Sequence, residues 1–241
     1  MIFAAGLGTR LRPYTETMPK ALVPVAGIPM LEILIRNLLE NGINDIIINV
    51  HHFAAQVTSF LDRNRNFGAN IVISDETAML LDTGGGLKKA GWFFDDQQPF
   101  LVQNVDVVCD LKYSEMLDMH VRSGSVATLA VSKRETSRYF LFDKNMRLSG
   151  WENAKTGELR LARPADERPE RFAFSGIHII NPSIFNFMKQ EGKFSIVDTY
   201  LGIAADQGIL GFKHDPEHWV DMGKPDELLK AEYILKKQQN K

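Results

Sequence analysis

Apolar residues recur at helical spacing over residues 30–40, MLEILIRNLLE, and the run stops at Asn41-Gly42, which predicts a helix with a glycine stop. Residues 45–50, DIIINV, are continuous and β-branched, the pattern of a parallel strand covered on both faces. The same reasoning predicts helices over 54–63, 87–94 and 113–121, and strands over 70–74, 100–104 and 125–131. Strand and helix alternate, so the first half reads as a doubly wound α/β sheet. Beyond it, residues 139–143 and 147–151 flank Lys144-Asn145-Met146 as an antiparallel hairpin, which makes the sheet mixed. Residues 156–171 are charged and proline-bearing and read as a loop, followed by a strand over 172–180 and helices over 182–189 and 196–206. A closing helix is expected over 225–237, with Pro225 at its start, acids in its first turn and lysines in its last. The first strand is unusual, because Gly6 interrupts it after five residues; a few residues are expected to be missing before Met1.

Composition narrows the class. The chain has 241 residues, 44% hydrophobic and 24% charged, enough for one large core and unlike a disordered or low-complexity protein. Lys plus Arg number 28 against 30 Asp plus Glu, so no global field attracts nucleic acid or an anionic membrane, and any anionic ligand needs a local positive pocket. A single cysteine, Cys109, excludes an internal disulfide and a Cys-rich zinc site. No apolar run reaches the roughly 18 residues of a membrane span, and no signal peptide is visible. A cytoplasmic protein is expected, with no nucleic-acid or membrane partner.

The chemistry concentrates in FAAGLGTRLRPYTETMPK, residues 3–20. Glycines where a strand ends let backbone N–H groups approach an anion. The dinucleotide fingerprint fails, since Leu11 holds the third glycine position, and no Gly-Lys-Ser/Thr exists for a Walker A loop. What remains is Arg10, Arg12 and Lys20 near a glycine loop stiffened by Pro13, Pro19 and Pro24, a set suited to a polyphosphate.

This stretch resembles the G-x-G-T-R-L-x-P-x-T…P-K signature of sugar-phosphate nucleotidyltransferases, and further similarity runs through DTGGG at 82–86, NVD at 104–106, FSGI at 174–177 and HWVDMG at 218–223. Within that family the TGGG, FSGI and HWVD elements are most similar to N-acetylmuramate 1-phosphate uridylyltransferases, with mannose-1-phosphate guanylyltransferases second. The resemblance implies a Rossmann-like, GT-A-like doubly wound mixed α/β sheet without a C-terminal left-handed β-helix. It implies one domain over 1–241, mainly nucleotide-binding over 1–135 and mainly sugar-binding over 136–241. The implied reaction joins a nucleoside triphosphate, UTP by the closer match, to a sugar 1-phosphate and releases pyrophosphate. A nucleotide-sugar-binding regulatory protein without activity is the alternative outside enzymes; retention of Arg10, Lys20, Asp106 and Asp221 argues against it.

Residue by residue, the resemblance makes Lys20 the contact to the α-phosphate and Arg10 the contact to the triphosphate or leaving pyrophosphate. Ala4, Ala5, Gly6, Gly8, Thr9, Asp82, Thr83 and Gly84 fall in nucleotide-binding segments, and Ser175, Gly176 and Asn104 in sugar-binding ones. Asp106 and Asp221, each after a short apolar run, are the implied magnesium ligands, an oxygen set that suits Mg2+. Many relatives carry glycine where Val105 stands, and a β-branched residue disfavours positive φ, so the metal geometry is expected to depend on Val105. Arg168, in Glu167-Arg168-Pro169, is a weaker match to a sugar-phosphate motif. His51 and His52 point to opposite faces of a strand end and do not chelate one ion; His218 is expected to border the sugar pocket or to pack.

Overall fold

The computed structural model describes residues 1–163, 169–223, 227 and 230–232. Arg168 and most of the closing 225–237 segment therefore lie outside the described residues. The chain forms two compact units, neither contiguous in sequence: one comprises Met1–Leu80, Gln103–Asp110 and the segment from His218, the other Leu81–Val102 and Leu111–Glu217.

In the first unit the strand Ile2–Phe3 lies between two parallel neighbours. Ile2 and Phe3 pair with Ile48 and Asn49 of Asp45–Val50 on one side, and with Gln103 and Asn104 on the other. Asp45–Val50 continues in parallel register with Asn70–Asp75. Ile46, Ile47, Ile48 and Val50 are buried, which is why this strand needs no polar alternation. The helix Met30–Glu40 buries Met30, Leu31, Leu34, Ile35 and Leu38 along one face. It ends as its sequence predicts: the Gly42 N–H donates to Leu39 O and the Ile43 N–H to Leu38 O, with Gly42 at φ 77°, a left-handed position that favours glycine. Two short antiparallel pairs complete the unit, Pro24–Val25 with Ile28–Pro29, and Val107–Cys109 with Trp219–Asp221. Leu11, Val23, Val25, Met30, Val108, Val220 and Met222 form one core cluster. The residue that breaks the dinucleotide fingerprint, Leu11, is an anchor of that core.

In the second unit Ala127–Ser132 pairs in parallel with Ile209–Lys213 and antiparallel with Glu170–Ile180. The hairpin Arg138–Phe142 to Leu148–Asn153 forms around Asp143, whose carboxylate accepts the N–H groups of Asn145 and Arg147. Mixed pairing thus follows the expected order, and the fold is mixed α/β. Two buried histidines bridge elements: His120 of the helix Tyr113–Ser123 bonds the Thr128 hydroxyl at 2.9 Å, and His178 bonds the Tyr200 hydroxyl at 2.7 Å. Burial lowers His120 to about 4 and His178 to about 3.

Several elements differ from expectation. The helix read over 87–94 is Asp82–Lys89, followed by a 3-10 turn at Gly91–Phe93, so the helix starts earlier than expected and DTGGG forms its beginning. Residues Pro182–Phe187 form a 3-10 helix. Glu158–Leu161, inside the expected loop, is a strand paired with Leu148–Asn153. No helix among the described residues is long and apolar enough to cross a membrane.

Candidate active site

The loop that follows Ile2–Phe3 is held at three points. The Ala4 N–H donates to Asn49 Oδ1 at 2.7 Å. Gly8, at φ 63°, accepts the Leu11 N–H and the Thr15 hydroxyl, and a Cβ there would lie 2.8 Å from Thr15 Cγ2 and 2.9 Å from Lys20 Cβ. Conformation and space therefore both require glycine at position 8. The third point is the burial of Leu11 in the core, at the end of the 3-10 turn Thr9–Leu11. Between the anchors, Gly6 is exposed, and a Cβ on it would meet nothing within 4 Å. Protein packing gives no reason for glycine there.

The same unit gathers four charged side chains. Lys20 and Asp106, both largely buried, form an ion pair, and Arg10 Nη1 reaches Asp221 Oδ2 at 3.3 Å. Asp221 pairs in register with Val107, the residue after Asp106, and the Met222 N–H donates to Asp106 O at 2.7 Å. Residues far apart in sequence are thus brought side by side by a three-residue ladder. The two carboxyls face the same point, Asp106 Oδ2 and Asp221 Oδ1 each lying 2.7 Å from where a Cβ on Gly223 would stand. Burial, reinforced by the Asp221 charge, raises the Asp106 pKa against the opposing pull of Lys20. Burial also pushes Asp221 upward, but the neighbouring Asp106, the Gly223 N–H, Arg10 and Lys20 outweigh it and leave that carboxyl low.

Gly223 closes over this group. Its N–H donates to Asp221 Oδ1 at 2.8 Å, and a Cβ there would lie 2.7 Å from Asp106 Oδ2, 2.7 Å from Asp221 Oδ1 and 2.9 Å from Lys20 Nζ. Val105 causes no distortion: its φ is not positive, and its N–H continues the sheet by donating to Phe3 O at 3.1 Å. Asn104 is half-buried and pairs with Phe3 in the ladder. His218, exposed, hydrogen-bonds through Nδ1 to Asp110 Oδ2 at 2.6 Å. His51 Nδ1 donates to the Glu76 carbonyl at 2.7 Å, and the ring of His52 contacts Phe53.

In the second unit Asp82 has φ 61° and its carboxylate accepts the Thr83 N–H. The Thr83 hydroxyl accepts the Ile196 N–H at 3.0 Å, so it caps the helix Ile196–Ile203. The N–H groups of Gly84 and Gly85 both donate to Phe194 O, and a Cβ on Gly84 would lie 2.4 Å from Phe194 Cδ2. At Gly84 and Gly85 the N–H donors are therefore spent inside the protein, and the missing side chains admit Phe194 and Gly192. Ser175 is fully buried, with its hydroxyl 2.7 Å from His214 Nε2, and Gly176 has φ 74° at an irregularity in the strand pairing.

The family profile described as Nucleotidyl transferase matches residues 1–238. The chain belongs to the nucleotidyl transferase family. Among curated relatives, a mannose-1-phosphate guanyltransferase of Yarrowia lipolytica is 31% identical over 236 residues, covering 95% of this chain and 61% of that protein. A UTP–glucose-1-phosphate uridylyltransferase of Synechocystis is 29% identical over 244 residues, covering 94% of this chain and 60% of that protein. This nucleotidyl transferase chain thus spans about six tenths of the length of those relatives. The crystal structure of HddC from Yersinia pseudotuberculosis complexed with GMP-PN superposes with a TM-score of 0.75 at 22% identity, covering 97% of each chain, a likeness of fold.

Sequence reasoning placed Arg10, Lys20, Asp106 and Asp221 in the site, and the structure brings these four together. It did not single out Gly223, whose place in HWVDMG was a usable signal, nor Asn49 and Glu76, which carry none beyond being polar residues at or beside strand ends.

Proposed function

We propose that this chain transfers a nucleotidyl group from a nucleoside triphosphate to a sugar 1-phosphate. The observation that supports it is the convergence of Lys20, Asp106 and Asp221 around a glycine with no room for a side chain, with Arg10 paired to Asp221. An oxygen of the sugar 1-phosphate attacks the α-phosphorus, the bond from that phosphorus to the bridging oxygen breaks, and pyrophosphate leaves with the electron pair. No protein nucleophile is needed, because the sugar 1-phosphate itself supplies the attacking oxygen. Lys20 and Arg10 supply positive charge where negative charge builds on phosphate oxygens, the main requirement of such transfers.

Asp106 and Asp221 would hold Mg2+: two carboxyl groups whose oxygens face the same point beside Gly223 are an oxygen donor set that fits a hard divalent cation. When bound, the ion adds charge neutralisation at the phosphates. The protein's part is to keep the two carboxyls adjacent through the Asp221–Val107 register and to keep a side chain out at Gly223.

For the substrate pair, the TGGG, FSGI and HWVD motifs favour UTP with N-acetylmuramate 1-phosphate, and with it a place in cell-wall sugar recycling. The Yarrowia relative favours a second reading, GTP with mannose 1-phosphate. Pyrophosphate release should be measured for ATP, CTP, GTP and UTP against N-acetylmuramate, mannose and glucose 1-phosphates, with Mg2+. Highest kcat/KM for UTP with N-acetylmuramate 1-phosphate is expected. A GTP preference of about tenfold or more with mannose 1-phosphate would promote the second reading, and no release from any pair would reject a transferase.

A further inference from the structure

Two buried polar side chains stand where the parallel strands of the first unit end, the edge at which open α/β sheets bind ligands. Asn49 and Glu76 are 2% and 1% exposed. The Ile2–Phe3 ladder stops at Ala4, whose N–H goes to Asn49 Oδ1 at 2.7 Å, and Asn49 Nδ2 donates to Glu76 Oε1 at 2.7 Å. The orientation of the amide follows from donor and acceptor identity. A backbone N–H only donates, so Asn49 must turn its oxygen to Ala4; its NH2 then faces Glu76, which accepts. Glu76 is itself fixed through its backbone, its N–H donating to Val50 O at 2.8 Å and its carbonyl accepting from His51. Ala4 opens the segment that leads through Ala5 to the open, exposed Gly6.

We propose that Asn49 and Glu76 are a positioning pair for nucleotide binding: Glu76 orients the Asn49 amide, and the amide sets where the chain leaves the sheet to meet the nucleoside triphosphate. This rests on the nucleotidyl-transfer reading. Neither residue touches the substrate in this account; both act through the main chain at Ala4. A buried, two-link clamp suits this task better than a main-chain ladder bond, because it holds the segment at its exit without extending the strand into the loop.

The test uses three variants. Asn49→Asp keeps an acceptor for Ala4 but sets a second carboxylate against Glu76, a buried like-charge pair. Glu76→Gln retains an acceptor for the Asn49 amide. The double variant Asn49→Asp/Glu76→Gln restores a donor-to-acceptor match, the glutamine NH2 now donating to the introduced carboxylate. KM for nucleotide should rise about tenfold in Asn49→Asp, with KM for sugar phosphate unchanged. Glu76→Gln and the double variant should stay within about twofold of wild type. Amide hydrogen exchange over residues 2–8 should speed up in Asn49→Asp and recover in the double variant, and this readout needs no turnover. If wild type releases pyrophosphate while Asn49→Asp alters neither nucleotide KM nor exchange, or if both KM values rise together without rescue, the pair is structural and the proposal fails. If no substrate pair is turned over but the exchange pattern holds, the functional reading fails and the clamp on Ala4 stands.

Discussion

Replacing Gly223 with alanine adds one methyl group where three charged atoms converge. The new Cβ would lie 2.7 Å from Asp106 Oδ2 and Asp221 Oδ1 and 2.9 Å from Lys20 Nζ, whereas ordinary contact begins at 3.4 Å. Each atom must retreat by roughly half to three-quarters of an ångström, and they are packed around the same point, so the retreats are in different directions. The φ at Gly223 is not positive, so alanine meets no backbone penalty, and the atoms it crowds are the ends of side chains rather than main chain. The fold can therefore absorb the change. The site cannot, because the adjacent carboxyls and their lysine are the arrangement on which the proposed chemistry depends.

Displacements of this size in a reacting assembly cost about 10²-fold in rate. Gly223→Ala should accordingly lower kcat for pyrophosphate release about 10²-fold, with a far-ultraviolet spectrum and a thermal midpoint close to wild type. Gly6→Ala supplies the contrast, since its Cβ meets no protein atom within 4 Å. It should leave stability unchanged and raise nucleotide KM. Wild-type turnover in Gly223→Ala would refute the placement of the reaction beside Asp106 and Asp221, and a collapsed thermal midpoint would show that the glycine serves packing instead.

Lys20→Ala should cut turnover by about 10²–10³, the scale for losing one preorganised donor to developing charge, and near-normal pyrophosphate release would remove Lys20 from the mechanism. Asp106→Asn and Asp221→Asn should each weaken activity and its magnesium dependence, while full activity in excess chelator would exclude the metal. Gly84→Val should act on stability and not on base choice, because its Cβ runs into Phe194; overpacking of this kind costs about 1–3 kcal/mol, and an altered UTP-to-GTP ratio at unchanged thermal midpoint would contradict it. His120, lowered from 6.5 to about 4 by burial, is protonated first in the unfolded chain, so stability is complete above pH 6.5 and falls as pH drops toward 4. That interval is worth about 3 kcal/mol, and chemical denaturation should show a shallower acid slope in His120→Gln than in wild type; equal slopes would count against His120 as the titrating group.

What could be read without a structure depended on whether an element carries its own reason to form. Helix Met30–Glu40 and strand Asp45–Val50 were legible to the residue, because their apolar spacing and β-branching are local properties that burial then rewards. The start of the helix Asp82–Lys89 was not. Three consecutive glycines disfavour a helix by propensity alone, and this one forms where Gly84 and Gly85 let Phe194 and Gly192 approach, a reason that lies more than 100 residues away. Tertiary packing overrode the local preference.

The candidate site shows the same division more sharply. Arg10, Lys20, Asp106 and Asp221 were legible as motif residues, yet nothing local said that the two aspartates would lie side by side. That follows from Val107–Cys109 and Trp219–Asp221, two three-residue strands too short to be predicted singly, each existing because the other is there to pair with it. Register then matters more than residue type. Side chains alternate faces along a strand, so a slip of one residue in this ladder would turn Asp221 to the opposite face and leave Asp106 with Lys20 alone. The Met222 N–H bond to Asp106 O and the burial of Val220 and Met222 in the Leu11 core hold that register. The core beneath the glycine loop and the spacing of the two carboxyls are therefore one structural problem, and a core substitution such as Val220→Ala is predicted to cost activity as well as stability.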